Sequence, residues 1–182
     1  LDDARIRIAV SPGDGPSSRQ RGPQPLAFVT IDHLAPTPDS VTLTVVPWAR
    51  NERSALAGIK ASAWAENAFA LRHARSAGFD SALFLDTTGR LSECASSNIY
   101  LVVDDEILTP TLDSGCLAGT AREVLLDLGV VRETDLWLDD LDRADAAFTT
   151  SATGLIPVTR VDDRSFSADA PALERARAAL VD

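Results

Sequence analysis

Short β-patterned runs set close together dominate the middle of this chain, and their spacing leaves little choice of architecture. Ser81-Ala82-Leu83-Phe84-Leu85-Asp86 reads as an apolar strand and Thr87-Thr88-Gly89-Arg90 as a turn. Leu91 to Glu93 and Asn98 to Val103 are further strands, the last ended by Asp104-Asp105. Connections of a few residues join antiparallel neighbours but are too short for the crossover that parallel strands need. Arg5-Ile6-Arg7-Ile8-Ala9-Val10 alternates with a period of two, so Arg5 and Arg7 share one face of a strand. Leu26 to Ile31 and Val41 to Val46 are β-branched runs bounded by prolines, hence strands, and Ser11 to Pro25, rich in Pro, Gly and Ser, reads as a loop. Helices are few. Ser62 is predicted to cap one with Trp64, Ala68 and Leu71 on its apolar stripe, His73 on its polar side and Gly78 as terminator. Thr120 and Glu123, at capping-box spacing, open a second that stops at Gly129, and a third begins near Pro171. The expected fold class is α+β, a mostly antiparallel, barrel-like sheet with helices packed outside.

At 182 residues and 45% hydrophobic content the chain can bury a core of its own. A net charge of -10 with no local cluster of Lys and Arg argues against a nucleic-acid surface. No apolar run approaches the ~20 residues that cross a bilayer, and Leu1-Asp2-Asp3-Ala4-Arg5 lacks the shape of a signal peptide, so a cytoplasmic protein away from membranes is expected. Cys94 and Cys116 lack metal-ligand spacing, and His33 and His73 stand far apart, so no structural metal is expected. The chain opens with Leu1 and contains no methionine, which suggests an incomplete polypeptide.

The basic residues carry the sharpest chemical signal. Of seventeen, Lys60 is the only lysine. A chain so shifted to arginine keeps an amine most usefully where guanidinium cannot serve, because an amine can lose its proton and attack a carbonyl carbon. An ordinary surface lysine is the competing explanation. Glu93 lies between apolar Leu91 and the small residues Cys94-Ala95-Ser96-Ser97. It is either exposed on an edge strand or a buried carboxylate that needs a cationic partner, such as a protonated ring nitrogen. Gly119 before Thr120 and Ala121 would let an anion approach free N–H groups at a helix start, although a plain capping box explains the same residues. Thr149-Thr150-Ser151-Ala152-Thr153-Gly154 reads as a hydroxyl-rich turn after a short strand, Ala146 to Phe148.

Taken in order, Gly58-Ile59-Lys60, the strand Ala82 to Asp86, Gly89-Arg90-Leu91-Ser92-Glu93-Cys94-Ala95-Ser96-Ser97-Asn98-Ile99-Tyr100, Leu108-Thr109-Pro110, Gly115-Cys116-Leu117-Ala118-Gly119-Thr120-Ala121-Arg122 and Thr150-Ser151-Ala152-Thr153-Gly154-Leu155-Ile156-Pro157-Val158 resemble the class IV aminotransferases, the pyridoxal phosphate (PLP) enzymes of fold type IV. The resemblance runs from about Arg5 to Arg164. It implies that residues 1–182 form the larger, PLP-binding domain of such an enzyme, with the cofactor site between Lys60 and Val158, and that the smaller leading domain is absent or incomplete. It further implies that Lys60 forms the internal aldimine and shuttles a proton, and that Glu93 holds the pyridine nitrogen protonated. Thr120 and Ala121 would donate backbone N–H groups to the phosphate, with Gly119 allowing close approach and the Ser151 hydroxyl beside them. Asn98 is read as architectural.

Within the family, Arg7 resembles a strand arginine that branched-chain aminotransferases direct at the active site, which makes it a candidate carboxylate anchor. Where some members carry an Arg-Gly pair, this chain has Ser11-Pro12-Gly13. The segments Gly115 to Gly119 and Ala82 to Leu101 look closer to 4-amino-4-deoxychorismate lyase, which releases pyruvate and forms 4-aminobenzoate. A branched-chain or D-amino-acid aminotransferase is the alternative, and a noncatalytic domain of the same fold is a third reading. A small-molecule amino substrate and a homodimer are implied by the resemblance alone.

Overall fold

The computed structural model of the protein describes residues 4–11, 13, 15, 20 and 22–181. Pro12, part of the loop expectation, and Leu1, Asp2 and Asp3 lie outside the described residues. The chain forms two compact units, Leu1–Thr37 and Pro38–Asp182.

The first unit is an antiparallel ribbon of β1 (Ala4–Val10) and β2 (Ala27–His33). Its register sets Ile6 opposite Ile31, Ile8 opposite Val29 and Val10 opposite Ala27. Residues directly opposite share a face, so these six line one side of the ribbon, while Arg5, Arg7, Thr30 and Asp32 line the other. The arginines thus lie where the alternation of the sequence puts them.

The second unit is one curled sheet in the order β5-β4-β3-β10-β9-β6-β7-β8. It is built from β3 (Val41–Val45), β4 (Ser81–Leu85), β5 (Leu91–Cys94), β6 (Asn98–Val103), β7 (Glu106–Pro110), β8 (Arg132–Thr134), β9 (Ala146–Ser151) and β10 (Gly154–Val161), with the two-residue β11 (Arg164–Ser165) beside β10. Hairpins pair β4 with β5, β6 with β7 and β9 with β10 antiparallel. Three pairs are parallel, β3 with β10 and two made by longer connections. β3 reaches β4 through a helix, and β7 reaches β8 through another, as parallel neighbours require. Asp104 and Asp105 both take positive φ, 51° and 65°, and close the β6–β7 turn where the sequence signals it. The edge strand β5 does not end in solvent, because Leu91 N–H donates to Leu136 O, just past β8, at 2.7 Å. The sheet therefore curls back toward its other edge.

Alternation sorts β6 between two cores. Ile99, Leu101 and Val103 join Leu43, Leu83 and Leu91, while Tyr100 and Val102 face Leu125, Phe148 and Leu173. The second group lies under α2 (Thr120–Asp127) and α4 (Pro171–Ala179). The helix α1 (Ala65–Ser76) covers a third cluster with Ala70 and Ala74 against Ala82 and Phe84. A short α3 (Leu138–Arg143) contributes Leu141 to the first core. Among the described residues no helix is long and apolar enough to cross a membrane.

Several local expectations are corrected. α1 starts at Ala65 with Trp64 at its N-cap, so Ser62 does not cap it. Its buried stripe holds Ala70 and Ala74, while Trp64 and Ala68 stay exposed, because alanine lets the helix approach the sheet more closely than tryptophan would. His73 is half-buried with its ring 5.4 Å from Trp48 rather than free on a polar face. Thr149, Thr150 and Ser151 belong to β9, which continues through the expected turn, and only Ala152 and Thr153 form the bend. Thr109 to Leu117 is expected from the sequence to be turn-rich, but Thr109 and Pro110 are the last two residues of strand β7.

Candidate active site

Four segments of the second unit converge, and the loop from Gly115 to Gly119 is their hub. Gly115 takes φ +80°, and an added Cβ would lie 2.9 Å from Glu52 Cα, so only glycine fits both the backbone and the packing. Its carbonyl accepts from Gly58 N–H at 3.4 Å, which ties the loop to the turn carrying Lys60. Two residues on, Leu117 N–H donates to Glu93 Oε2 at 3.0 Å, and Leu117 O accepts from Asn98 Nδ2 at 2.8 Å. An added Cβ on Gly119 would stand 2.2 Å from Asn98 Oδ1. Asn98 is thus the strut on which the hub rests.

The hub delivers the start of α2. Gly119 is its N-cap, and no side chain caps the helix. Thr120 is already the first helical residue, so the expected capping box of Thr120 and Glu123 is not formed: a threonine inside the helix cannot serve as its own N-cap. The first-turn N–H groups of Thr120 and Ala121 have no acceptor among the described residues. They point their positive end outward, which suits an anion. Arg122 anchors the helix from within. It is 3% exposed, donates from Nη2 to Pro110 O at 2.9 Å and pairs with Glu133.

Glu93 is 8% exposed although β5 is an edge strand, because the curl of the sheet covers it. Oε2 accepts from Leu117 N–H, and Oε1 lies 3.1 Å from Arg50 Nη1. Burial pushes its carboxyl above the ordinary range, against the opposing pull of the Leu117 N–H and the positive charges of Arg50 and Lys60. Lys60 itself is exposed in the turn before α1, with Gly58 in the left-handed region at φ +67°. Among the described residues it makes no ion pair. Its field reaches Glu93 nonetheless. Ser151 ends β9 one residue after Thr150, which pairs with Asn98, and its hydroxyl engages the Thr153 hydroxyl at 2.9 Å. Arg7 lies in the other compact unit, exposed on β1 opposite Thr30.

Arg50 is the residue that sequence reasoning missed. It stands in a polar stretch after β3, one arginine among sixteen, and nothing in the local pattern separates it from the others. Neither thiol competes as a nucleophile. Burial pushes Cys94 up to about 12 and raises Cys116 as well. Among the described residues no group of three or more His, Cys, Asp and Glu is placed to hold a metal.

The amino-transferase class IV family model matches residues 1–161. The chain belongs to the class IV aminotransferase family. Within it, a Thermotoga maritima protein assigned as a branched-chain-amino-acid aminotransferase is 35% identical over 95 residues, covering 49% of this chain and 35% of that protein. Among solved structures, a Legionella pneumophila protein assigned as a 4-amino-4-deoxychorismate lyase superposes with a TM-score of 0.87 at 25% identity, over 94% of this chain and 66% of that one. An aminotransferase from Brucella abortus, solved bound to the cofactor PLP, superposes with a TM-score of 0.83 at 26% identity, over 97% of this chain and 66% of that one. The chain therefore spans about a third of that curated relative's length and just under two thirds of the two solved chains.

Proposed function

We propose that this chain is the cofactor-binding part of a PLP-dependent enzyme that works on the amino group of a small substrate, with Lys60 as the catalytic residue. The observation that carries the reading is the convergence, through the Gly115 to Gly119 loop, of an exposed amine, a buried carboxylate and an uncapped helix start. The residues fit the cofactor: no side chain caps the start of α2, and the N–H groups of Thr120 and Ala121 have no acceptor among the described residues, which leaves them free for an anion. When bound, PLP supplies an electron sink that withdraws charge from the substrate's amino-bearing carbon.

The chain's own residues do the rest. Lys60 Nζ would hold the cofactor and would carry a proton to and from the substrate. Glu93, already set to accept one N–H at Oε2, keeps a proton on the pyridine nitrogen and so keeps the ring electron-poor. Thr120 and Ala121 bind the phosphate by their N–H groups, and the Ser151 hydroxyl adds a donor at the end of β9. A homodimer in the cytoplasm is the expected assembly.

Transamination is the favoured reaction, because the Thermotoga relative at 35% identity carries a branched-chain aminotransferase assignment. A lyase is the second reading, supported by the 0.87 TM-score to the Legionella protein and by the texture of Gly115 to Gly119. Assaying the purified protein with PLP separates them. Amino transfer to a keto acid, lost in Lys60→Ala, supports the first, and pyruvate released from 4-amino-4-deoxychorismate without any keto-acid acceptor supports the second. A Lys60→Ala protein that retains full turnover would sink both.

A further inference from the structure

Arg50 is built into the site more deeply than its place in a polar stretch suggests. Its backbone N–H donates to Leu85 O at 2.8 Å, which fixes its root at the end of β4. The guanidinium lies over the Phe84 ring, 4.1 Å from the centroid, and the side chain is 14% exposed. From that base the planar fork divides. Nη1 meets Glu93 Oε1 at 3.1 Å, and Nη2 donates to Asn67 Oδ1 at 3.3 Å. Asn67, in the first turn of α1, in turn donates from Nδ2 to Ala95 O at 2.6 Å, two residues past Glu93. Glu66 Oε2 stands 4.0 Å from Nη2. Nε is buried without a hydrogen-bond partner among the described residues.

This arrangement has a cost and a purpose. A guanidinium serving only as surface charge would not leave a donor buried and unpaired. The planar fork can hold a carboxylate and an amide at once, which the single ammonium of a lysine cannot do in the same geometry. The charged groups facing Glu93 are Arg50, Lys60 and Glu66, and Cys94 and Cys116 are the neighbouring thiols. Arg50 is the cation in direct contact. Its second arm reaches the first turn of the helix that begins five residues after Lys60.

We propose that Arg50 is the positioning residue of this site: it keeps the buried Glu93 carboxylate ionised and aimed, and through Asn67 it sets the spacing between that carboxylate and the Lys60 segment. What Glu93 faces rests on the PLP reading, whereas the hold of Arg50 on Glu93 rests on the contacts alone.

The test follows the Glu93 carboxyl carbon by NMR against pH in the full chain labelled at glutamate, with Glu93→Gln assigning the signal. Arg50→Met should raise the Glu93 midpoint by about 1–3 pH units, the span over which a close opposite charge acts. Arg50→Lys should return it part of the way, since the charge is restored and the fork is not. A midpoint in folded Arg50→Met within a few tenths of a unit of the parent would overturn the proposal. If Arg50→Met does not fold, Arg50→Lys decides alone, because an unchanged midpoint there contradicts the need for the fork. A parallel borohydride reduction with PLP keeps the two readings apart. Lys60 unlabelled in the parent protein removes the PLP reading and leaves the midpoint test standing. Lys60 labelled in both parent and Arg50→Met, with the midpoint unmoved, removes the Arg50 proposal only.

Discussion

Glu93 and Lys60, proposed to act together on one cofactor, are held in opposite ways. The carboxylate is buried on a strand and gripped from two sides, by Arg50 and by the Leu117 N–H. The amine is exposed before α1, pairs with no acid among the described residues, and sits on a backbone tied to the hub through the Gly58 N–H. The difference matches the two tasks proposed for them. A group whose protonation tunes a cofactor must have its surroundings settled before anything binds, since a desolvated charge responds strongly to small displacements. A group that must attack, let go and carry a proton needs room to move. The helix start of α2 sides with Glu93, because its position is set by glycines that admit no side chain and by the buried Arg122.

Breaking the exposed half should abolish chemistry and spare the fold. Lys60→Ala is expected to lower turnover by at least about 1000-fold. Because Lys60 is exposed, urea unfolding of the same variant should shift by no more than about 0.5 kcal/mol. Breaking the rigid half should do the reverse. Arg122→Ala removes the buried grip on Pro110 O and Glu133, and should cost about 2–3 kcal/mol of stability by urea unfolding. Gly119→Ala drives a Cβ into Asn98 Oδ1 and should cost about 1–3 kcal/mol. PLP affinity, followed by fluorescence titration, should fall with it because the α2 start is displaced.

The smallest effect sharpens the comparison rather than breaking it. Burial lifts the Glu93 carboxyl above its ordinary range, so the folded state takes up this proton more readily than the unfolded state does. Stability associated with the protonated form is therefore present below the usual carboxylate range, about pH 4–5, and is lost as pH rises through the folded value. Glu93→Gln lacks this dependence. Apart from a pH-independent offset from the lost Arg50 pairing, its stability relative to the parent should improve as pH rises through that window, measured by urea midpoints at successive pH values.

The strands were legible because period and turn residues are local. Asp104-Asp105 and Gly78 stop their elements where the sequence says they should. The face of α1 was misread because tryptophan looks like core in a helical pattern, whereas close packing on a sheet selects Ala70 and Ala74. Thr120 was misread because cap and first helical residue differ by one position, below what pattern can resolve. The burial of Glu93 could not be read locally at all. It depends on the curl that brings Leu91 to Leu136, a contact forty-five residues apart. Arg50 had no local signal either, since its partners come from Phe84, Glu93 and Asn67.

The most direct test of the account is reduction of the PLP-treated protein with borohydride, followed by intact mass and peptide mapping. With a single lysine in the chain, the outcome has one address. The account predicts one phosphopyridoxyl group on Lys60, absent from Lys60→Ala. A folded protein that takes up no such group would contradict it and leave the fold serving some purpose other than PLP chemistry.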